Sequence, residues 1–437
     1  MKLTKLMIAV VSLTAGSAFA NAPVIAKLTG ASAMRDNQGL ALGELCTKDA
    51  AGVAKPGYFF KQFNSTDGNV RTYVCSTGSI IGTQAKYNAV IAGTDTSAAF
   101  AGFGSSAYSE VRQSVAGGSF TAVQGLAGVL PVENQNFYNP GTNAFEQSAS
   151  SIGGYTDTEV GVAVIANPAP DATETSVGVL QTFGVGVSRD LYNGMFAKQK
   201  AAGFIPSTCA ETDFATPACV PSISKGQMAS IMNANGFSKA KELGAAYLAS
   251  GTPADAKLVY ARRVDSSGTQ AAATSYFLLN GCSPNPEALV GQPPQGTTED
   301  QGLVTVQANA GTSDVRTALN VAANAANPTY VIGVMSGENN TSGANWRWVR
   351  VNGSNMSESA QPGLGTNTNI NTTITGGYDF AYESKAYYNE AANPGSELFF
   401  GELIAKSQAL TLPKGLVALP NANGFTRNGS ACGVLTN

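Results

Sequence analysis

Short apolar runs of β character alternate with helix-like segments along most of this 437-residue chain, and that alternation is the pattern of an α/β architecture. Residues 24–28, 87–92, 177–187, 258–261, 304–307 and 330–335 read as strands. Residues 191–200, 224–235, 238–250, 315–326 and 396–410 read as helices. Residues 346–351 alternate Trp and Arg, as a half-exposed strand does. Two stretches are loop-like instead: 281–300, rich in Pro and Gly, and 361–377, rich in Asn, Thr and Gly. No internal repeat interrupts the pattern.

The first twenty residues are expected to be a cleaved leader and not part of the fold. Lys2 and Lys5 give a basic start, residues 6–15 are mostly apolar, and Ala18-Phe19-Ala20 suits a signal peptidase. That apolar run is too short to span a bilayer, and no later run is long enough. Asn21, not Cys, follows the cleavage point, which argues against a lipid anchor. The expectation is an exported protein, periplasmic or secreted, that does not span a membrane.

The formal charge of −3 becomes −5 once Lys2 and Lys5 leave, so nucleic acid and anionic membrane are poor partners. Six cysteines fit an oxidising compartment. Proximity favours Cys46 with Cys75 and Cys209 with Cys219, leaving Cys282 and Cys432; other pairings stay open. The chain has no histidine, which removes Ser-His-Asp and Cys-His catalysis and the HExxH zinc site. No cysteine pair has metal-ligand spacing, so neither a metal nor a cofactor is expected, and the protein is not expected to be an enzyme. One Ser-x-x-Lys, Ser222 to Lys225, lacks its companion KTG motif and reads as chance.

One stretch, 258–277 (LVYARRVDSSGTQAAATSYF), carries recognisable chemistry. An apolar strand turns through Arg262, Arg263, Asp265, Ser266, Ser267, Gly268 and Thr269 into an Ala-rich helix. Asp and Ser favour helix N-caps, so guanidinium groups, hydroxyls and free N–H groups gather at one helix N-terminus. That is a recipe for holding an anion. The bland alternative is a capped turn with solvated arginines.

The segment Arg263-Val264-Asp265-Ser266-Ser267-Gly268-Thr269 resembles the R-x-D-x-S-G-T loop of the periplasmic phosphate-binding proteins of ABC importers. Leu28-Thr29-Gly30-Ala31-Ser32-Ala33 resembles that family's first ligand loop, and Gly153-Gly154-Tyr155-Thr156-Asp157, a Gly-rich turn ending in a carboxylate, its third. The second, a GS-containing turn, has two candidates: Gly118-Ser119, preferred because a helix-like run follows it, and Ser105-Ser106. Segments at 180–192, 223–235, 331–333 and 348–353 are similar to the family's lobe-entry and return elements, in the same order. There are departures too. Met34-Arg35 stand where the family places a Thr-aromatic pair, and residues 40–150 and 355–380 are longer than usual.

The resemblance implies a two-lobed, type II periplasmic-binding-protein architecture with the ligand in the cleft. The first lobe would comprise 21–178 and 331–437, and the second 179–330. It implies a monomer that captures phosphate or a similar oxyanion and closes about a hinge, with an ABC importer membrane complex as partner. The implied ligand-binding residues are Ser32, Ala33, Ser119, Asp157, Arg263, Ser267, Gly268 and Thr269, with Asp265 holding the Arg263 guanidinium and Arg262 at the surface. Asp157, across the cleft, would select phosphate by accepting the proton that phosphate keeps and sulfate lacks. A rival expectation, motivated by Met34-Arg35 and the long loops, is a secreted or surface-associated structural or interaction protein of the same fold with a degenerate site.

Overall fold

A computed structural model gives the architecture. It describes residues 173–356 except 237, 266 and 325, together with 154–159, 162, 377–388, 397, 400–401, 403–409, 427, 430–433 and residue 41, and the backbone alone of 153, 167–168, 396, 398–399, 402 and 416–418. It also describes the backbone of 24–30, 58–64, 69–74, 79–84, 100–101, 107–113, 138–139 and 144–145. The chain divides into two compact units. The first holds Met1–Thr156, Asn167–Val177 and Lys385–Thr411; the second holds Asp157–Ala166, Gly178–Ser384 and Leu412–Asn437.

In the first unit, the short strand Gly153–Thr156 runs parallel to Val24–Gly30 on one side and antiparallel to 385–388 on the other. The expected Gly-rich turn is therefore a strand, ending where Asp157 begins. Ala107–Gln113, Tyr58–Asn64, Asn69–Val74 and Ser79–Gln84 extend the sheet antiparallel from Val24–Gly30. The helix Ser396–Ala409 joins this unit through the Tyr155 hydroxyl, 2.8 Å from the Ser407 hydroxyl, and through Phe400 stacked on Tyr388.

The second unit is built on three parallel strands. Leu258–Arg263 lies between Val304–Asn309 and Tyr330–Ser336, parallel to both. Thr298–Gln301 closes one edge as an antiparallel hairpin partner. Beyond Tyr330–Ser336, residues 183–187 of the long strand Thr173–Ser188 pair antiparallel. Residues 178–188 are all buried away from solvent, as their largely apolar sequence requires. The helices Arg189–Ala201, Lys225–Met232, Lys239–Leu243, Gly268–Leu278 and Thr312–Leu319 cover the sheet. Two helices end earlier than their patterns suggest. Residues 244–247 tighten into a 3-10 turn at Gly244, whose φ of 53° breaks the α-helix, and Thr312–Leu319 stops before 326.

The helix Gly268–Leu278 is buried along its whole length. Its Ala271-Ala272-Ala273 run lets neighbours approach, and a helix buried all round carries small or apolar groups on every face. Tyr276 stacks on Phe380 at 4.3 Å, and Phe277 meets the same ring edge-on. Ser224, from the Ser-x-x-Lys stretch, is an ordinary N-cap: its hydroxyl accepts from the Gln227 N–H.

Two disulfides lie in this unit, Cys209–Cys219 and Cys282–Cys432. The lobes implied by the resemblance would place Cys282 and Cys432 apart, but both belong to the second unit. The strands Tyr330–Ser336 and Trp346–Val351, expected to return to the first lobe, belong there as well. Cys46 and Cys75, and the strand expected at 87–92, lie outside the described residues. Among the described residues no helix is long and apolar enough to cross a membrane.

Candidate functional site

The three parallel strands end on one side, and their following loops converge there. Carboxyl ends of parallel strands are where α/β sheets gather ligand groups. Leu258–Arg263 delivers Arg263 and the turn to Ser267; Val304–Asn309 delivers Ala310 and Thr312; Tyr330–Ser336 delivers Glu338. Two helices start in the same place, at Gly268 and at Thr312.

Arg263 is buried, with 4% of its surface exposed. Its Nε and Nη2 both donate to the Ala310 carbonyl, at 3.2 and 2.8 Å, and its Nη1 donates to the Thr312 hydroxyl at 2.8 Å. N–H groups on both terminal nitrogens remain without a partner among the described residues. Burial lowers the guanidinium's pKa to about 10, while Asp157, Asp314 and Glu338 work to raise it. Gln270 fixes the base of this side chain by accepting from the Arg263 N–H at 3.0 Å.

Asp157 lies against this turn, in the unit that also holds Arg263. The proof is its contact with Gly268: a Cβ placed there would lie 2.7 Å from Asp157 Oδ2 and 2.9 Å from its Cβ. Glycine is required here because the carboxylate occupies the space that any side chain would fill. Asp157 is 2% exposed, and its Oδ1 has no hydrogen-bond partner among the described residues. Burial foremost, then the charge of Glu338, raises its pKa to about 7, against the pull of Arg263. A carboxyl group held at that value is poised to accept or donate a proton near neutral pH.

Ser267 caps the helix that starts at Gly268, its hydroxyl accepting from the Gln270 N–H at 3.4 Å, and Thr269 follows, also buried. Two expectations are corrected. Asp265 does not hold Arg263; it forms an ion pair with Arg262 Nη2. Arg262 is not at the surface: it is 1% exposed and donates to the carbonyls of Arg263 and Val290. Alternation along the strand explains both. Adjacent side chains point to opposite faces, so Asp265 pairs with Arg262, while Arg263 on the other face feels Asp157 only through their charges. Ser32, Ala33 and Ser119 lie outside the described residues.

Glu338 is the charged group that sequence reasoning missed. Its Oε1 accepts from the Ser336 hydroxyl at 2.5 Å and from Asn339 Nδ2 at 3.3 Å. A signal was present: Ser336-Gly337-Glu338 directly follows the apolar run 330–335, the position that the Arg263 turn occupies on its own strand. Among the described residues no three acidic, Cys or His side chains cluster closely enough to hold a metal ion.

No protein-family model and no curated protein matches this chain. Among solved structures, the chain is similar to a crystal structure of an ABC-type phosphate transport receptor from Vibrio cholerae. The identity is 10% and the TM-score 0.31, over 58% of this chain and 74% of that one. At that looseness the likeness carries no weight for fold or function.

Proposed function

We propose that the protein is an exported solute-binding protein that takes an inorganic oxyanion, foremost phosphate, at the loops after the three parallel strands. The observation that carries this reading is the buried, unpartnered Oδ1 of Asp157 beside the Arg263 guanidinium and the helix start at Gly268. An orphaned buried acceptor costs roughly 1–3 kcal/mol, more when charged, and a protonated oxyanion removes that penalty by donating to it. Arg263 supplies charge-assisted N–H groups to the same anion. Ser267, Thr269 and the N–H groups at Gly268 add donors along the helix dipole. Ser32, Ala33 and Ser119, which lie outside the described residues, complete the set in this reading. Export rests on the leader-like start and the two disulfides, and delivery to an ABC importer membrane complex rests on the motif resemblance.

Sulfate carries no proton at neutral pH, so it would face the Asp157 carboxylate acceptor to acceptor. Submillimolar phosphate should raise the unfolding temperature of the wild type, and submillimolar sulfate should not. Protection by sulfate without protection by phosphate would sink the phosphate assignment.

One observation favours the rival reading of a degenerate site in a structural or interaction protein. Arg263 already gives three of its donor nitrogens to Ala310 and Thr312. Absence of any calorimetric heat from phosphate, arsenate or sulfate would establish it.

A further inference from the structure

At the other end of the strands lies a second cationic cluster, separate from the residues around Asp157. Ser188 pairs with Trp346, and Val187 pairs with both Ile332 and Arg347, so these positions mark the start of Tyr330–Ser336. Arg263 and Glu338 lie at the far end of the same strand layer. Seven residues at about 3.3 Å each separate the two ends by on the order of 20 Å.

Arg189 opens the helix Arg189–Ala201, and Arg347 and Arg350 come from the strand Trp346–Val351. The guanidinium carbons of Arg189 and Arg347 stand 4.3 and 4.5 Å from the centre of the Phe214 ring. Tyr192 meets that ring edge-on, with centroids 5.6 Å apart. The three arginines donate only to neutral groups: Arg189 Nε to Asn193, Arg347 Nη1 to the carbonyls of Thr341, Ala344 and Trp346, and Arg350 Nε and Nη1 to the carbonyls of Val220 and Gly353. None forms an ion pair among the described residues.

The carboxylate that does face this group is Asp213, half-buried and bonded to the Ala210 N–H. The Tyr192 hydroxyl, on a side chain with no exposed surface, has no partner among the described residues, and neither does the buried Arg347 Nε. Burial and the neighbouring Arg189 both push the Arg347 guanidinium down. A group of like charges with a buried unpartnered hydroxyl is under-satisfied as it stands, and an anion relieves both defects at once.

We infer that Arg189, Arg347 and Tyr192, with Phe214 holding the two guanidinium groups and Arg350 adding charge, form a second anion site for a small oxyanion such as sulfate or phosphate. The one carboxylate facing it among the described residues, Asp213, is half-buried and already accepts from the Ala210 N–H, unlike the orphaned Asp157, so the site does not discriminate between the two. Its affinity is on the order of millimolar, weaker than that of a dedicated receptor site.

The test titrates sulfate and, separately, inorganic phosphate into the full-length wild type and into Arg263→Ala at low ionic strength. Trp346 and Trp348 lie on the strand that carries Arg347 and Arg350, so their fluorescence reports binding directly. Both proteins should show a saturable millimolar event of similar strength for the two anions. Arg189→Gln with Arg347→Gln should weaken it tenfold or more. Tyr192→Phe, which keeps the ring in the core, should weaken it several-fold, and it decides the matter if the double variant does not fold. Unchanged affinity in either variant, or no saturable sulfate event in wild type, would overturn the assignment. Neither outcome touches phosphate binding at Asp157, which is read separately at submillimolar concentration.

Discussion

Substituting Asp157 by Asn should make the protein more stable, and increasingly so as pH rises. The carboxyl group is buried, its pKa rises from 3.8 to about 7 on folding, and burial is the main cause. A group whose pKa is raised by folding adds its full share to stability below the unfolded value. It loses that share as pH climbs through the folded one. A tenfold change in proton affinity is worth about 1.4 kcal/mol, so a rise of this size amounts to about 4 kcal/mol at pH 8. That value already sets the attraction to Arg263 against burial and the repulsion from Glu338, so the Asn variant should gain about 4 kcal/mol at pH 8.

The assay is urea unfolding in phosphate-free buffer from pH 4 to 8, because bound phosphate would itself stabilise the wild type. Intrinsic fluorescence is a clean probe here. The chain has two tryptophans, Trp346 and Trp348, both buried in the unit that holds Asp157. The two proteins should unfold together near pH 4. By pH 8 the Asn variant should lead by roughly 1 M urea. A lead that does not grow with pH, or a variant that is weaker at every pH, would refute the claim that Asp157 is a destabilising acid kept for its ligand.

Gly268→Ala should cost about 1–3 kcal/mol and abolish submillimolar phosphate binding by calorimetry, because its Cβ would strike Asp157. Phosphate-over-sulfate selectivity should be high at pH 8 and narrow at pH 5, where a protonated Asp157 can donate to either anion; competition titrations at the two pH values read this. Replacing Cys282 and Cys432 by Ser should lower stability more than replacing Cys209 and Cys219. The bridges close loops of 150 and 10 residues, worth about 5 and 3 kcal/mol on a chain-entropy scale, and denaturant melts of the two double variants compare them. Arg262→Ala should cost about 2–4 kcal/mol in the same melts, through lost packing and two orphaned carbonyls, and leave phosphate affinity within a few-fold of wild type.

The turn after Leu258–Arg263 is legible in the sequence because its chemistry is local. Ser267, Gly268 and the Ala-rich run write a capped helix start into consecutive residues. The role of each arginine is not legible. Which of Arg262 and Arg263 meets Asp265 depends on strand alternation at the end of a sheet, and a shift of one residue exchanges the two. Asp157 stands out in the sequence only as the end of a Gly-rich turn. Its burial, and the fit against Gly268 over more than a hundred residues of separation, come from tertiary packing. Glu338 escapes notice because its one local mark, a place just after an apolar strand, is shared by many exposed loop acids. Only the parallel pairing of Tyr330–Ser336 with Leu258–Arg263 brings it to Arg263. The bridge Cys282–Cys432 is one of several pairings the sequence leaves open, and its place within one unit comes from packing around Arg427, which donates to the Ala381 carbonyl at 2.7 Å.

The most direct test of the central claim is the ratio of phosphate to sulfate affinity, by calorimetry at pH 8, for wild type, Asp157→Asn and Arg263→Ala. The wild type should prefer phosphate by two orders of magnitude or more. Asp157→Asn should lose most of that preference, since an amide can donate to sulfate, and Arg263→Ala should lose submillimolar affinity for both. Equal phosphate binding by all three proteins would contradict the site built on Asp157 and Arg263.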